Sequence, residues 1–201
     1  MEFAEVVRRR RMVRNYTDEP VDPAAVERML AHATRSPSAG FSQGWAFLVL
    51  DRIEDVERFW AAATPSSPSD VAENSWLTGM RRAPVVVVPL ACERAYRARY
   101  AEQDKGGTAP DQQVWSVPYW FVDTGMASLL MLLTAVDEGL AACFFGIPAE
   151  RVESFRAEFG VPGDHTPVGA ITLGHPAPDR RSASLRRGRR GVDAVVHRGH
   201  W

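Results

Sequence analysis

Residues 83–90 read APVVVVPL, and no other stretch constrains the fold of this chain as tightly as that run of four valines. β-Branched side chains lose rotamer freedom in a helix and pack well on a pleated surface, so the run reads as a strand. Apolar residues at successive positions, rather than at alternate ones, mark a strand buried on both faces. Ala83 to Leu90 therefore belongs at the centre of a sheet.

The flanking sequence supplies helices and further strands. A first helix spans about Glu2 to Arg10. PVDPAAVERMLAHATR is a second: Asp22 can cap it, Pro23 suits its first turn, and Val26, Met29, Leu30 and Ala33 recur at helical spacing. After the loop SPSAG, WAFLVLD (Trp45 to Asp51) has strand length, RIEDVERFWAAA has helical spacing and TPSSPSD reads as a loop. A charged helix is expected over Ala91 to Tyr100, then a mobile surface loop, EQDKGGTAPDQQ. Trp120 to Leu140 is apolar on nearly all sides and reads as a central buried helix. AACFFG is a strand, PAERVESFRAEFG a helix closed by Gly160, and TPVGAITLGHPA a last strand. The basic tail DRRSASLRRGRRGVDAVVHRGHW has no core pattern of its own and must pack on something. The alternation gives one domain over residues 1–201, of α+β or α/β type.

Composition narrows the function. With 24 basic and 25 acidic residues, a net charge of −1, the chain has no general basic excess for a nucleic acid. The longest apolar run, Gly125 to Val136, has 12 residues, where a membrane span needs about 20. The opening MEFAEVVRRRR puts apolar residues before charges, the reverse of a secretory leader, and Cys92 and Cys143 form no CxxC pair, so a cytoplasmic protein with reduced thiols is expected. The five histidines show no HExxH and no pairing with cysteine, so no metal site is expected. GxGxxG and GxxxxGK are absent, and Cys143 lies in an apolar strand where a thiol is inert.

Two arginine clusters remain, at residues 8–14 and 180–190. Converging in space, they would hold a phosphate bidentately; apart, they are solvated surface. SPSAGFSQGW (Ser36 to Trp45) offers hydroxyls, an amide and backbone N–H groups suited to a flat polar heterocycle, or is an ordinary polar loop.

In order and spacing these elements resemble the nitroreductase family of FMN-dependent oxidoreductases. The family's Arg-Arg-Ser-x-Arg-x-aromatic signature is matched by Arg10, Arg11, Met12, Val13, Arg14, Asn15 and Tyr16. Its Pro-Ser-x-x-Asn-Ser-Gln-Pro-Trp element is matched from Pro37 to Trp45, its Gly-Leu-x-x-Cys by GLAACFFG (Gly139 to Gly146), and its end by LGHPA and RRGRRGVDAVVH. The resemblance implies an α+β, three-layer fold with a central mixed sheet flanked by helices. It also implies a homodimer that exchanges C-terminal tails and binds two FMN molecules at its interface. Arg10, Arg187 and Arg189 would then hold the FMN phosphate, with Arg11 and Met12 beside the ribityl–phosphate region and Arg14 near the pyrimidine end of the ring. Pro37, Ser38 and Ala39, with Phe41 and Gln43, would approach from the partner, and the turn at Phe145 and Gly146 would offer N–H groups near the flavin N5. Arg8 and Arg9 have no family counterpart and should be solvated.

Met12, Phe41 and Gly44 depart from the family's serine, asparagine and proline. The implied chemistry is hydride transfer from NADH or NADPH through FMN to a small organic acceptor, nitroaromatic or quinone, in a ping-pong cycle that needs no catalytic side chain. Trp115, Tyr119 and Trp120 are the candidate substrate residues. GFSQGW is also similar to the flavin-fragmenting enzymes that make dimethylbenzimidazole. An FMN- or deazaflavin-binding protein with little NAD(P)H turnover is a further alternative.

Overall fold

The computed structural model describes residues 1–64, 75–178 and 182–201. Most of the expected loop TPSSPSD, and Arg180 and Arg181 of the tail, lie outside the described residues. In chain order the elements are α1 (Phe3–Arg9), α2 (Pro23–Ala33), β1 (Trp45–Leu50), α3 (Ile53–Ala63), α4 (Ser75–Met80), β2 (Val85–Ala91), α5 (Glu93–Tyr100), α6 (Tyr119–Asp137), β3 (Ala141–Phe145), α7 (Val152–Phe159), β4 (Thr166–Pro167) and β5 (Ala170–Gly174).

The sheet order is β1-β2-β5-β3, with β4 paired to the end of β2. The valine strand is therefore central, as its sequence requires. Successive side chains of β2 enter different cores: Val86, Val88 and Leu90 pack with Phe59, Trp60, Met80 and Phe155, whereas Val85 and Val87 pack with Met29, Ala127, Met131 and Ile171. Helices α3, α4 and α7 cover one face and α2 and α6 the other, which makes three layers. At α2 the Asp22 carboxylate accepts from the Ala24 N–H at 2.9 Å, the cap its sequence announces.

Four features differ from expectation. Each described pairing is antiparallel, not mixed, because β5 inserts between β2 and β3, which run in the same direction and would otherwise be parallel neighbours. The last strand is split, with Val168 and Gly169 between β4 and β5. Helix α6 is buried on one side only: Phe121, Val122, Met126 and Leu129 are exposed along its other side. The loop expected to be mobile is tied to α5, since Arg99 pairs with Glu102 at 2.8 Å and Asp104 at 2.6 Å, and Gln113 Nε2 donates to the Arg97 carbonyl at 2.9 Å.

Residues 11–17 cross the structure without belonging to a named strand. Val13 N–H donates to the Ala142 carbonyl at 3.1 Å, and Thr17 N–H to His175 O at 3.0 Å. Tyr16, fully buried, donates its hydroxyl to the Val13 carbonyl at 2.7 Å and meets Thr172 Oγ1 at 2.8 Å. The signature aromatic thus locks the arginine-bearing segment to the sheet. Tyr16→Phe would leave the Val13 carbonyl without its buried donor, at a cost of about 1–3 kcal/mol. Urea unfolding should show that loss, and an unchanged midpoint would contradict the locking role.

Candidate functional site

The arginine run divides by burial. Arg8 and Arg9 pair with Glu5 on the surface, at 3.5 and 3.6 Å, and Arg9 also donates to the Met1 sulfur at 3.6 Å, which is the solvated role expected of them. Arg10 follows α1 and is half-buried; its Nη1 is sealed from solvent with no hydrogen-bond partner among the described residues. A buried guanidinium N–H left unpaired is costly, and an anion satisfies it. Arg11 is exposed and Arg14 half-buried.

Met12 explains its own departure from serine. Its side chain packs against both cores, and its Sδ accepts from the Phe144 N–H at 3.4 Å. Together with the Val13–Ala142 bond this sets the segment antiparallel to β3, with Arg10 and Arg11 toward the Phe145–Gly146 end. Phe145 itself stacks on Trp60, ring centroids 5.6 Å apart, so its side chain is core and only its backbone is available to a ligand. Gly146 is exposed.

The Pro37–Trp45 loop is built under strain. Gly40, Phe41 and Gln43 have φ of 64°, 58° and 49°, and a left-handed backbone costs a non-glycine residue about 1–2 kcal/mol. Dense bonding fixes it: Ser38 Oγ accepts from Gln43 N–H at 3.0 Å, Ser42 donates to Ala39 O at 2.6 Å, and Arg99 Nε donates to Gly40 O at 3.0 Å. Gly44 stands where the family has proline because a Cβ there would lie 2.5 Å from the Tyr96 ring. Pro37, Phe41 and Gln43 are exposed, Phe41 at 72%. The loop presents them outward.

Two residues at this site escaped the sequence reading. Asp123, only 2% exposed, accepts through Oδ2 from the Ala39 N–H at 2.8 Å and from the Tyr96 hydroxyl at 2.7 Å. Burial, then the bond to Asp123, pushes the Tyr96 phenol well above its ordinary pKa. An acid placed ahead of the uncharged run Thr124 to Val136, far from Asp137 and Glu138 at its end, was the signal available.

Of the candidate substrate residues, Trp115 and Trp120 come together edge-to-face at 5.8 Å, with Tyr100 against Trp115 and Tyr96 against Trp120. Tyr119, half-buried at the start of α6, makes no ring contact with them among the described residues. A cavity of about 520 Å³ lies beside Trp120, lined also by Phe121, Arg94, Arg97 and Pro110. A larger one, about 710 Å³, opens at Trp60, Arg81 and Arg82 and is lined by none of the candidate cofactor or substrate residues.

The loop and the Phe145–Gly146 turn lie at the same end of the sheet, because Trp45 pairs with Ala91 and Phe145 with Ala170. They stand on opposite edge strands, roughly 14 Å apart across the sheet. Arg187 and Arg189 are exposed on the tail, where every residue from 184 to 201 is exposed. One chain therefore places the motifs around the molecule without closing them on one point.

Cys92, Asp164 and His165 meet with their ligand-type atoms within 4.8 Å of one another, a cysteine–histidine pairing that sequence spacing does not show. Asp164 is already engaged there by His165 at 2.8 Å and Arg94 at 2.6 Å, which hold its carboxyl down at about 2. The cluster is a self-satisfied ion-pair junction.

The Nitroreductase family model matches residues 7–175. The chain belongs to the nitroreductase family. It is 27% identical over 194 residues to a Methanothermobacter thermautotrophicus protein named "Putative NADH dehydrogenase/NAD(P)H nitroreductase", covering 92% of this chain and 83% of that one. It is 28% identical over 191 residues to the 5,6-dimethylbenzimidazole synthase of Rhodospirillum rubrum, covering 89% and 83%. Among solved structures it superposes on a Desulfovibrio desulfuricans nitroreductase-type protein in complex with FMN, with a TM-score of 0.71, 23% identity and coverage of 98% and 95%. Within this nitroreductase fold, Phe41 is an exposed aromatic held in a conformation that asparagine tolerates better. Phe41→Asn should stabilise the protein by about 1 kcal/mol, a rise of roughly 2–4 °C in thermal midpoint. A fall would show that Phe41 packs against something and is not merely presented.

Proposed function

We propose that this chain is an FMN-dependent oxidoreductase that draws reducing equivalents from NADH or NADPH and passes them to a small organic acceptor of nitroaromatic or quinone type. The observation that carries the reading is the buried Nη1 of Arg10, a donor with no partner among the described residues, in the signature segment where the family resemblance puts the FMN phosphate. When bound, FMN supplies hydride transfer in two half-reactions over one face of its ring. The protein's tasks are binding and tuning. Arg10, with Arg187 and Arg189, would hold the phosphate. Arg14 at the pyrimidine end would stabilise negative charge there and so raise the reduction potential. Backbone N–H groups at Phe145 and Gly146 would face N5, and Pro37 to Gln43 would cover the ring, leaving a slot bounded by Trp115 and Trp120.

The working unit in this reading is a homodimer with exchanged tails. Three features support it. The exposed apolar face of α6, with Leu129 at 48%, needs a cover. The tail carries Leu185, Val192 and a Trp201 that is 97% exposed, none of which finds a core in its own chain. The loop and the phosphate segment sit on opposite edges of one sheet, so a second copy brings them to one ligand. A cytoplasmic setting accords with this chemistry.

A second reading has its own support: the loop GFSQGW and the likeness to the Rhodospirillum rubrum synthase favour a flavin-fragmenting enzyme. Release of dimethylbenzimidazole when the reduced protein meets oxygen would select it.

The primary reading predicts a yellow protein whose visible flavin bands bleach anaerobically with NADPH or NADH. Arg10→Ala should bind FMN at least tenfold more weakly, from the loss of a charge-assisted contact worth roughly 1.5–3 kcal/mol. Full flavin retention by Arg10→Ala would sink the clamp, and a colourless protein that FMN cannot reconstitute would sink the proposal.

A further inference from the structure

We propose that Asp123 and Tyr96 are positioning residues for the cofactor-facing loop, setting where Phe41 and Gln43 stand against the flavin. The inference rests on the reading above that residues 37–43 cover the ring. Asp123 holds the start of the loop through the Ala39 N–H at 2.8 Å, and Tyr96 fills the space beside Gly44 at its end. The two holders are themselves joined at 2.7 Å, hydroxyl to the same carboxylate oxygen, so both ends of the loop refer to one buried point. Between those ends stand the left-handed Gly40, Phe41 and Gln43, a conformation that persists only where its surroundings over-determine it. Phe41 is exposed, so core packing does not compensate for its strain. Asp123 sits among apolar residues of α6, where a hydrophobic side chain would serve packing better than a buried carboxylate. A strained, outward-facing loop referred to a buried acid is a device for placing side chains on a ligand, and on this reading the ligand is a planar ring.

The test uses full-length Asp123→Ala, Asp123→Asn and Tyr96→Phe proteins. Asparagine keeps an acceptor oxygen for both donors, whereas alanine keeps none. Amide hydrogen exchange over residues 38–43 reports the loop without any flavin; FMN titration by fluorescence quenching and the visible spectrum report the ring. Asp123→Ala should speed exchange at Ala39 and Gln43 at least tenfold, weaken FMN binding five- to twentyfold and shift the flavin bands. Asp123→Asn should restore each to within about twofold, and Tyr96→Phe, which removes one hydroxyl, should fall between. Unchanged exchange in Asp123→Ala, or asparagine no better than alanine, overturns the proposal. Faster exchange with unaltered FMN affinity and spectrum also overturns it while leaving the cofactor reading intact. A wild-type protein that takes up no FMN removes the cofactor reading and this role together, and that failure is told apart by exchange that still follows Asp123.

Discussion

The structure depends on the two-sided burial of β2. Its valines alternate between a core built with α3, α4 and α7 and another built with α2 and α6, so neither helical layer can shift without exposing apolar surface on the central strand. That rigidity fixes the ends of the sheet. The Pro37–Trp45 loop enters β1, the Phe145–Gly146 turn leaves β3, and the arginine segment is bolted to β3 by Met12, Val13 and Tyr16. Two elements of the site are therefore boundaries of edge strands and the third is tied to one of them, so side chains with few core contacts of their own are held where the sheet puts them.

What could be read from the sequence was local. The valine strand, the Asp22 cap and the period of α2 each follow from neighbouring residues, and all appear in the structure. The motifs that identified the family were also local runs. Pairings across distance were not legible: Met12 with Phe144, Tyr16 with Thr172 and Asp123 with Ala39 join residues 132, 156 and 84 positions apart. Cys92 and His165 met for the same reason, through the approach of the β4 turn to the start of α5. Helix α6 misled in a different way. Its composition announced burial, but the apolar composition of a helix does not say which of its faces the chain covers.

The departures at Met12 and Gly44 now have physical reasons, in a thioether that fills both cores and a glycine that admits the Tyr96 ring. Phe41 has none in folding terms, since its backbone is strained and its ring exposed. Folding alone would favour another residue there, and such conflicts between local preference and position concentrate at functional sites. The aromatic set of Trp115, Trp120, Tyr96 and Tyr100 lies behind the loop, with the Tyr100 ring against Gly40 and the Tyr96 ring against Gly44.

The central claim is that one flavin site is assembled from two chains, with Arg10 supplied by one and the Pro37–Gln43 loop by the other. It is tested most directly by mixing defective chains. Arg10→Ala removes the phosphate contact, and Gly40→Val disrupts the loop, because any Cβ at that left-handed position meets the Tyr100 ring at 2.7 Å. In a mixed dimer of the two variants, a site shared between chains gathers both defects into one location and leaves the other intact. The account predicts that each variant homodimer binds FMN at least tenfold more weakly than the wild type and that the mixed dimer binds about one FMN per two chains with wild-type affinity. A mixed dimer as empty as its parents, beside a wild-type protein that binds FMN, would mean that each site is built within a single chain.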